Sequence, residues 1–140
     1  WKADFFKELG PDVAAQYLKY GSEIPTPLSQ MHLYPISGAV NRINSTETPW
    51  AYRDAKYAEV IIGVDADPAN NEKIIKWSKD HWNAVHPYSS GGAYLNFEMN
   101  EGGDDRVKKS YGKNYERLSS IKKKYDPDNF FRVNQNIKPE

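Results

Sequence analysis

Alternating apolar and polar positions predict the clearest strand of the chain over residues 56–64. Ala58 and Val60 fall on one face of this strand, and Tyr57 and Glu59 fall on the other, because successive side chains of a strand point to opposite faces. The same pattern predicts further strands over residues 30–36, 38–43 and 93–99. The strand at residues 38–43 is expected to form a hairpin with the strand at residues 30–36.

Apolar residues at helical spacing predict a first helix that begins at Pro11 and ends before Gly21. Val13, Tyr17 and Tyr20 form its apolar stripe, because they are four and seven residues apart. Further helices are predicted from Asn70 or Asn71 to Val85, with Ile74, Ile75, Ser78 and Trp82 on its buried face, and over residues 106–111 and 113–125.

The order of these elements predicts an α+β fold, in which helices cover one side of an antiparallel sheet. The strands are too few to make a covered sheet unaided, so we expect part of the sheet to lie elsewhere. Phe130, Phe131 and Val133 follow the last helix and are expected to fix the C-terminal tail in place.

Composition and charge exclude several kinds of site. The 140 residues, one domain or a piece of one, carry 19 basic and 19 acidic side chains, so no long-range field attracts nucleic acid or an anionic membrane. Cysteine is absent, which excludes disulfides and thiolate metal sites. No apolar run approaches the ~20 residues of a membrane span.

The start of the chain says little about its location. It begins at Trp1 without methionine, which suggests a processed or truncated chain, so the lack of a visible signal peptide carries little weight. Asn44 opens an Asn-Ser-Thr sequon, a candidate N-glycosylation site. Secretion is therefore slightly favoured over other locations.

The three histidines do not form a metal site by their spacing. His81 and His86 are five residues apart on one predicted helix, whereas helical metal ligands usually lie four apart, and a place on the helix surface is expected for both. His32 lies on a predicted strand and could face a cleft. No metal is predicted.

Tyr94 and Asn96 are the most informative polar pair. Within a strand they point to the same face, where a phenol and an amide can present polar groups to a flat heteroaromatic ligand. The simpler alternative is an edge strand with one solvated face, and the residues alone favour it.

Three motifs near the C terminus occur in the order and spacing of a known family. Residues 111–118 read YGKNYERL, residues 122–131 read KKKYDPDNFF, and residues 134–137 read NQNI. Together they closely resemble the C-terminal motif of the berberine bridge enzyme-like oxidases. Shorter likenesses extend the resemblance over nearly the whole chain, at residues 37–40, 48–55 and 91–97.

The resemblance implies a two-domain flavoprotein that uses FAD. Residues 1–99 would be the C-terminal part of its substrate-binding domain, and residues 105–140 would return to the FAD domain. The FAD-binding portion would precede Trp1 in the same protein, so this chain alone is expected to be inactive. Hydride would pass from a small-molecule substrate to flavin N5, with dioxygen as the electron acceptor.

The resemblance also implies roles for individual residues. Tyr94 and Asn96 match positions that contact the isoalloxazine ring, and Tyr94 is also a candidate base. Phe97 matches a position where several relatives place a Tyr or His base or substrate contact, and Phe cannot accept a proton. Further candidates from the resemblance are Asn114, Asn134 and Gln135 for the cofactor, with capping of the helix at Tyr115 as the alternative for Asn114, and Glu59 for the substrate. His32, which could face a cleft from its predicted strand, is also a candidate for the substrate.

Two functions remain open at this stage. The first is an FAD-dependent oxidase that acts on a sugar, an alcohol or a secondary metabolite. The second is a non-catalytic module that kept the fold and binds a carbohydrate or a protein. Phe97 supports this alternative, because a phenylalanine cannot accept a proton.

Overall fold

The computed structural model describes residues 1–99, 103–133 and 135–140. Its strands and helices are β1 (Lys2–Phe6), α1 (Pro11–Ser22), β2 (Gln30–Pro35), α2 (Ala39–Arg42), β3 (Tyr57–Ile62), α3 (Asn71–Val85), α4 (Gly103–Tyr111) and α5 (Tyr115–Tyr125).

Strand β3 is the centre of a three-stranded antiparallel sheet with the order β1-β3-β2. Asp4 of β1 and Leu33 of β2 both lie opposite Glu59, so these three residues share one face. The predicted α+β class is confirmed, and so is the strand at β3. Strand β1 was not predicted, because all but its first residue are buried and no alternation marks it.

Two predicted strands are wrong. Residues 38–43 contain the short helix α2, which follows Gly38 in a left-handed conformation with φ 72°. The backbone leaves the extended form there, because glycine adopts positive φ without strain. Residues 93–99 contain a 3₁₀ turn over Leu95–Phe97 instead of a strand.

Helices α1 and α3 cover one side of the sheet, called here the helix face. Val13 and Tyr20 are buried as predicted, and Ile61 of β3 packs between Tyr20 and Trp77. Ile75 was wrongly placed on the buried side of α3, where it is 50% exposed. The buried stripe follows helical spacing through Ile74, Trp77, Ser78, His81 and Val85.

The opposite side of the sheet, called here the loop face, is covered by irregular segments. Phe5 and Ala58 pack with Ala55, and Trp50 and Tyr52 cover them. The outer edge of β1 receives residues 90–92, since the Phe5 amide donates to the Gly92 carbonyl at 3.0 Å and the Ser90 amide donates to the Phe5 carbonyl at 2.7 Å. These bonds position the following residues beside the loop face.

The three apolar side chains that were expected to fix the C-terminal tail do not pack on this chain. Phe130, Phe131 and Val133 are 78%, 75% and 82% exposed. The two phenyl rings contact each other, with centroids 5.1 Å apart, and their backbone amides donate to the Asp126 carboxylate at 2.7 and 3.0 Å. The turn is therefore held by polar bonds, and its apolar side chains face outward.

Among the described residues, we find no helix that combines the length and the apolar character required to cross a bilayer.

Candidate functional site

Six side chains form a continuous row beside the loop face, called here the polar row. Strand β2 contributes three of them and the segment around the 3₁₀ turn contributes the other three. They are Gln30, His32, Tyr34, Phe97, Tyr94 and Asn96.

The β2 half of the row follows from strand geometry. Gln30, His32 and Tyr34 alternate along β2, so their side chains point to the same face. The His32 Nδ1 atom lies 2.6 Å from the Tyr34 hydroxyl oxygen, and Nε2 lies 2.7 Å from Gln30 Oε1. Because β2 is an edge strand, Tyr34 stays 42% exposed.

The second half of the row lies on the turn. The Asn96 amide donates to the Tyr94 hydroxyl at 2.8 Å, and both side chains are exposed. Phe97 lies between the two halves, since its ring stacks on Tyr34 at 5.9 Å and meets Tyr94 edge-on at 5.0 Å. The predicted pairing of Tyr94 with Asn96 is thus present on a different backbone.

A shallow cleft of about 160 Å³ borders the turn. Trp50 and Tyr111 form parts of its wall together with Tyr94 and Asn96. An aromatic wall with a phenol and an amide at its rim suits a flat ligand that carries both hydrogen-bond donors and acceptors.

Glu59 does not belong to the polar row. It lies on the helix face at 0% exposure, with its Oε1 atom 3.5 Å from Nε2 of the equally buried His81. Burial raises the pKa of Glu59 to about 8 and lowers the pKa of His81 to about 4. The substrate contact expected for Glu59 is therefore wrong, because neighbouring residues of a strand face opposite sides.

The surface positions expected for the other two histidines also need correction. His81 stacks on Tyr20, with ring centroids 4.9 Å apart, inside the core. His86 is partly buried at the end of α3, where its Nδ1 atom lies 2.9 Å from a carboxylate oxygen of Asp4.

Residues 93–138 match the family described as berberine and berberine like. Cannabidiolic acid synthase-like 1 of Cannabis sativa is 30% identical over 156 residues, covering 99% of this chain and 29% of that protein. An FAD-linked oxidoreductase of Dictyostelium discoideum is 27% identical over 140 residues, covering 99% and 30%.

This chain is a relative of the berberine bridge enzyme-like oxidoreductases. It spans about 30% of the length of the curated relatives it matches, and corresponds to a C-terminal portion of them. A glycopeptide hexose oxidase solved with teicoplanin shares the fold of this chain, with a TM-score of 0.87 at 23% identity, over 99% of this chain and 32% of that one.

In this berberine bridge enzyme-like chain, the side chain of Asn114 holds a loop in place. Its side chain is 5% exposed, and its Nδ2 group donates to the carbonyls of Ser45, Thr48 and Pro49 at 2.7, 3.0 and 3.2 Å. The flavin contact considered for Asn114 is therefore wrong, and so is the alternative of a helix cap, because its side chain makes no capping bond.

Replacement of Asn114 should cost stability. Asn114→Ala leaves three loop carbonyls without their shared donor, and we expect the free energy of unfolding to fall by about 2 kcal/mol. Asn114→Asp should be worse, because a carboxylate would face the same carbonyl oxygens. Urea denaturation measures the change, with the exposed Asn83→Ala on α3 as control. Equal midpoints for Asn114→Ala and Asn83→Ala would contradict the assignment.

The remaining candidates are not members of the polar row. The Gln135 amide donates to the backbone carbonyl of Glu98 at 3.0 Å, one residue from Phe97, and Asn134 lies outside the described residues. Asn44 is exposed, and its Oδ1 atom accepts from the Thr46 amide at 3.1 Å and hydroxyl at 3.0 Å. Glycosylation of Asn44 and secretion stay predictions.

Sequence reasoning missed Gln30 and Tyr34 as site residues. The signal was present, since both alternate with His32 along a predicted strand. What the sequence lacked was the position of Phe97, which brings this strand beside Tyr94.

Proposed function

We propose that this chain is part of an FAD-dependent oxidoreductase that oxidises a sugar, an alcohol or a secondary metabolite. In this proposal, residues 1–99 belong to the substrate-binding domain and residues 105–140 pack on an FAD-binding portion of the same protein. Dioxygen is the proposed electron acceptor. The observation that carries the proposal is the polar row, with its exposed pair Tyr94 and Asn96.

The polar row fits one wall of a flavin site. The Tyr94 hydroxyl accepts one bond from Asn96 and keeps its own proton for donation, and the Asn96 carbonyl oxygen remains an acceptor. An isoalloxazine ring carries both carbonyl oxygens and a ring N–H at its edge, so the pair is complementary to it. Gln135, held beside Glu98, belongs to the same side of the molecule.

The flavin would supply the two-electron chemistry, by taking the hydride that leaves the substrate carbon. The residues of this chain orient the substrate, shield it with aromatic rings and receive its hydroxyl proton. Phe97 lies at the centre of the row and cannot perform that last task, so a neighbouring group must.

The exposed C-terminal tail supports the proposed packing on another portion of the protein. Phe130, Phe131 and Val133 turn adjacent apolar side chains outward. Such a cluster is costly to leave in water, and a covering surface removes the cost. The polar bonds of Asp126 hold the cluster in a fixed shape for such a contact.

A non-catalytic carbohydrate-binding module is the second candidate. Phe97 favours it, because the ring replaces the acid–base group that several relatives are expected to carry there. Tyr34 and Tyr94 beside it are exposed aromatic rings on which a sugar could stack.

Light absorption separates the two candidates. The intact protein that contains this chain should be yellow, with flavin bands near ~370 and ~450 nm. Asn96→Leu should weaken retention of FAD, measured by the flavin released on gel filtration, because it removes both the N–H donor and the carbonyl acceptor of the side-chain amide. Asn83→Leu, on the distant surface of α3, serves as its control. An intact protein that stays colourless after incubation with FAD contradicts the flavoenzyme and favours the binding module.

A further inference from the structure

We propose that the Tyr34 hydroxyl, hydrogen-bonded to His32, accepts the proton of the substrate's hydroxyl group, and that Gln30 fixes His32 in the form that makes this possible. This inference rests on the proposed function and names the base which that function requires. Tyr34 is then a catalytic residue, and His32 and Gln30 are positioning residues.

The position of Tyr34 carries the first step of the inference. Its ring stacks on Phe97 with an interplanar angle of 22°. The contact places the Tyr34 phenol, with its ionisable hydroxyl, at the centre of the polar row. Tyr94 lies on the other side of Phe97, so a substrate that lies on the Phe97 ring would contact both tyrosines.

The direction of the hydrogen bonds carries the second step. Gln30 Oε1 can only accept, so the His32 Nε2 atom at 2.7 Å from it must carry the proton. In a neutral imidazole the other nitrogen, Nδ1, then has a free lone pair. The Tyr34 O–H therefore donates to Nδ1, 2.6 Å away.

The proton balance follows from this arrangement. An alcohol that becomes a carbonyl loses two electrons and one proton as hydride from carbon, and a second proton from oxygen. The oxygen proton moves to the Tyr34 oxygen while the Tyr34 proton moves to His32 Nδ1. The histidine becomes an imidazolium cation, and it returns its extra proton to solvent because its side chain is only partly buried.

A purely structural role accounts poorly for this arrangement. The three side chains are on an edge strand, where water can satisfy the same polar groups at little cost. Two short bonds that align Gln30, His32 and Tyr34 on an exposed face add little to stability. They do fix which atom of His32 faces the Tyr34 hydroxyl, as proton transfer from Tyr34 requires.

Reduction of the bound flavin tests the inference in the intact flavin-loaded protein. Under anaerobic conditions, D-glucose or benzyl alcohol is mixed with the protein, and bleaching near ~450 nm is followed. Tyr34→Phe should lower the limiting rate about 100-fold and leave the Kd of the alcohol nearly unchanged, because only the transition state loses a proton acceptor. Tyr88→Phe, which changes another exposed tyrosine outside the row, should leave the rate unchanged.

Two variants of His32 separate positioning from packing. Asn can place an acceptor oxygen near the position of Nδ1, so His32→Asn should retain more of the rate than His32→Leu. Equal losses in both variants would show that His32 only fills space and would overturn its positioning role.

Nitrogen NMR of histidine-labelled protein gives a readout independent of turnover. We expect neutral His32 to carry its proton on Nε2, and Gln30→Leu to let the two tautomers mix. A proton on Nδ1 overturns the inference, because Tyr34 would then accept from His32 and could not deliver its proton there.

The outcomes distinguish this inference from the proposed function. A colourless protein, or a yellow one that neither alcohol bleaches, contradicts the oxidation of alcohols and the role of Tyr34 with it. A yellow protein whose Tyr34→Phe variant is bleached within threefold of the parent rate overturns the role of Tyr34 alone.

Discussion

At pH 8 to 9 the Glu59→Gln variant should be more stable than the parent chain by about 4 to 5 kcal/mol. Burial raises the pKa of Glu59 from an ordinary 4.5 to about 8, with the charge of Asp4 acting in the same direction and the Tyr17 hydroxyl opposing them. Above pH 4.5 the unfolded chain releases this proton and the folded chain retains it. Stability therefore falls as the pH rises from 4.5 to about 8, and then levels off.

Glutamine removes this dependence because it has the same shape and stays neutral. Between pH 6.5 and 8 the parent should lose about 2 kcal/mol, and Glu59→Gln should lose almost none. This window lies above the range in which the lowered pKa of His81, about 4 against an ordinary 6.5, affects stability. Below pH 6.5, His81 is protonated in the unfolded chain and stays neutral in the folded core, so stability falls as the pH falls toward 4.

Urea denaturation at a series of pH values, followed by tryptophan fluorescence, measures both curves. Glu116→Gln on the exposed side of α5 is the matched control, and its curve should run parallel to that of the parent. If Glu59→Gln also runs parallel to the parent between pH 6.5 and 9, Glu59 is ionised in the folded state and its surroundings differ from those described.

The fold was predictable where a periodic pattern met a regular element. Strand β3 and helices α1 and α3 follow the alternation and the helical spacing of their apolar residues, and Pro11 marks the start of α1. Strand β1 was not predicted, because Asp4 is buried like its neighbours Phe5 and Phe6 and the sequence shows no alternation of polar and apolar residues. Ile75 was misplaced because an isoleucine next to the buried stripe looks the same as one inside it.

Four of the six residues of the polar row were candidates from the sequence, but the backbone that carries Tyr94, Asn96 and Phe97 was not predicted. Tyr94 and Asn96 were chosen because alternate residues of a strand share a face, yet a 3₁₀ turn brings them together. The pairing survives because residues two apart in such a tight turn are also neighbours. The role of Asn114 was not predictable, because its three carbonyl partners lie 65 to 69 residues away in the sequence and no local pattern indicates them.

Arg106 is a residue whose loss should strongly lower the stability of the fold. Its guanidinium donates to Asp4 Oδ1 at 3.0 Å, to Glu98 Oε1 at 2.5 Å and to the carbonyls of Ala3 and Gly91 at 2.8 and 2.9 Å. It therefore joins β1, the segment at residues 90–98 and α4. Asp4 is fully buried, and its remaining partner is His86 at 2.9 Å.

Arg106→Met should lower the free energy of unfolding by about 3 to 5 kcal/mol, because it leaves two carboxylates without their cation. Methionine keeps most of the apolar volume of the side chain, so the loss reports the charge and its hydrogen bonds. Lys76→Met removes an exposed cation from its pair with Asp80 and should cost far less than Arg106→Met, because solvent screens exposed ion pairs.

A double-mutant cycle with Asp4→Asn separates the ion pair from the rest. Asparagine carries no charge, so Arg106→Met should cost at least about 1 kcal/mol less in that background than in the parent. Equal costs in the two backgrounds would show that the backbone carbonyls, and not Asp4, are what Arg106 stabilises. Arg106→Met should also disturb the polar row. The Arg106 guanidinium binds the segment that carries Tyr94 and Phe97 at two points, Gly91 and Glu98, and this segment places both rings beside Tyr34.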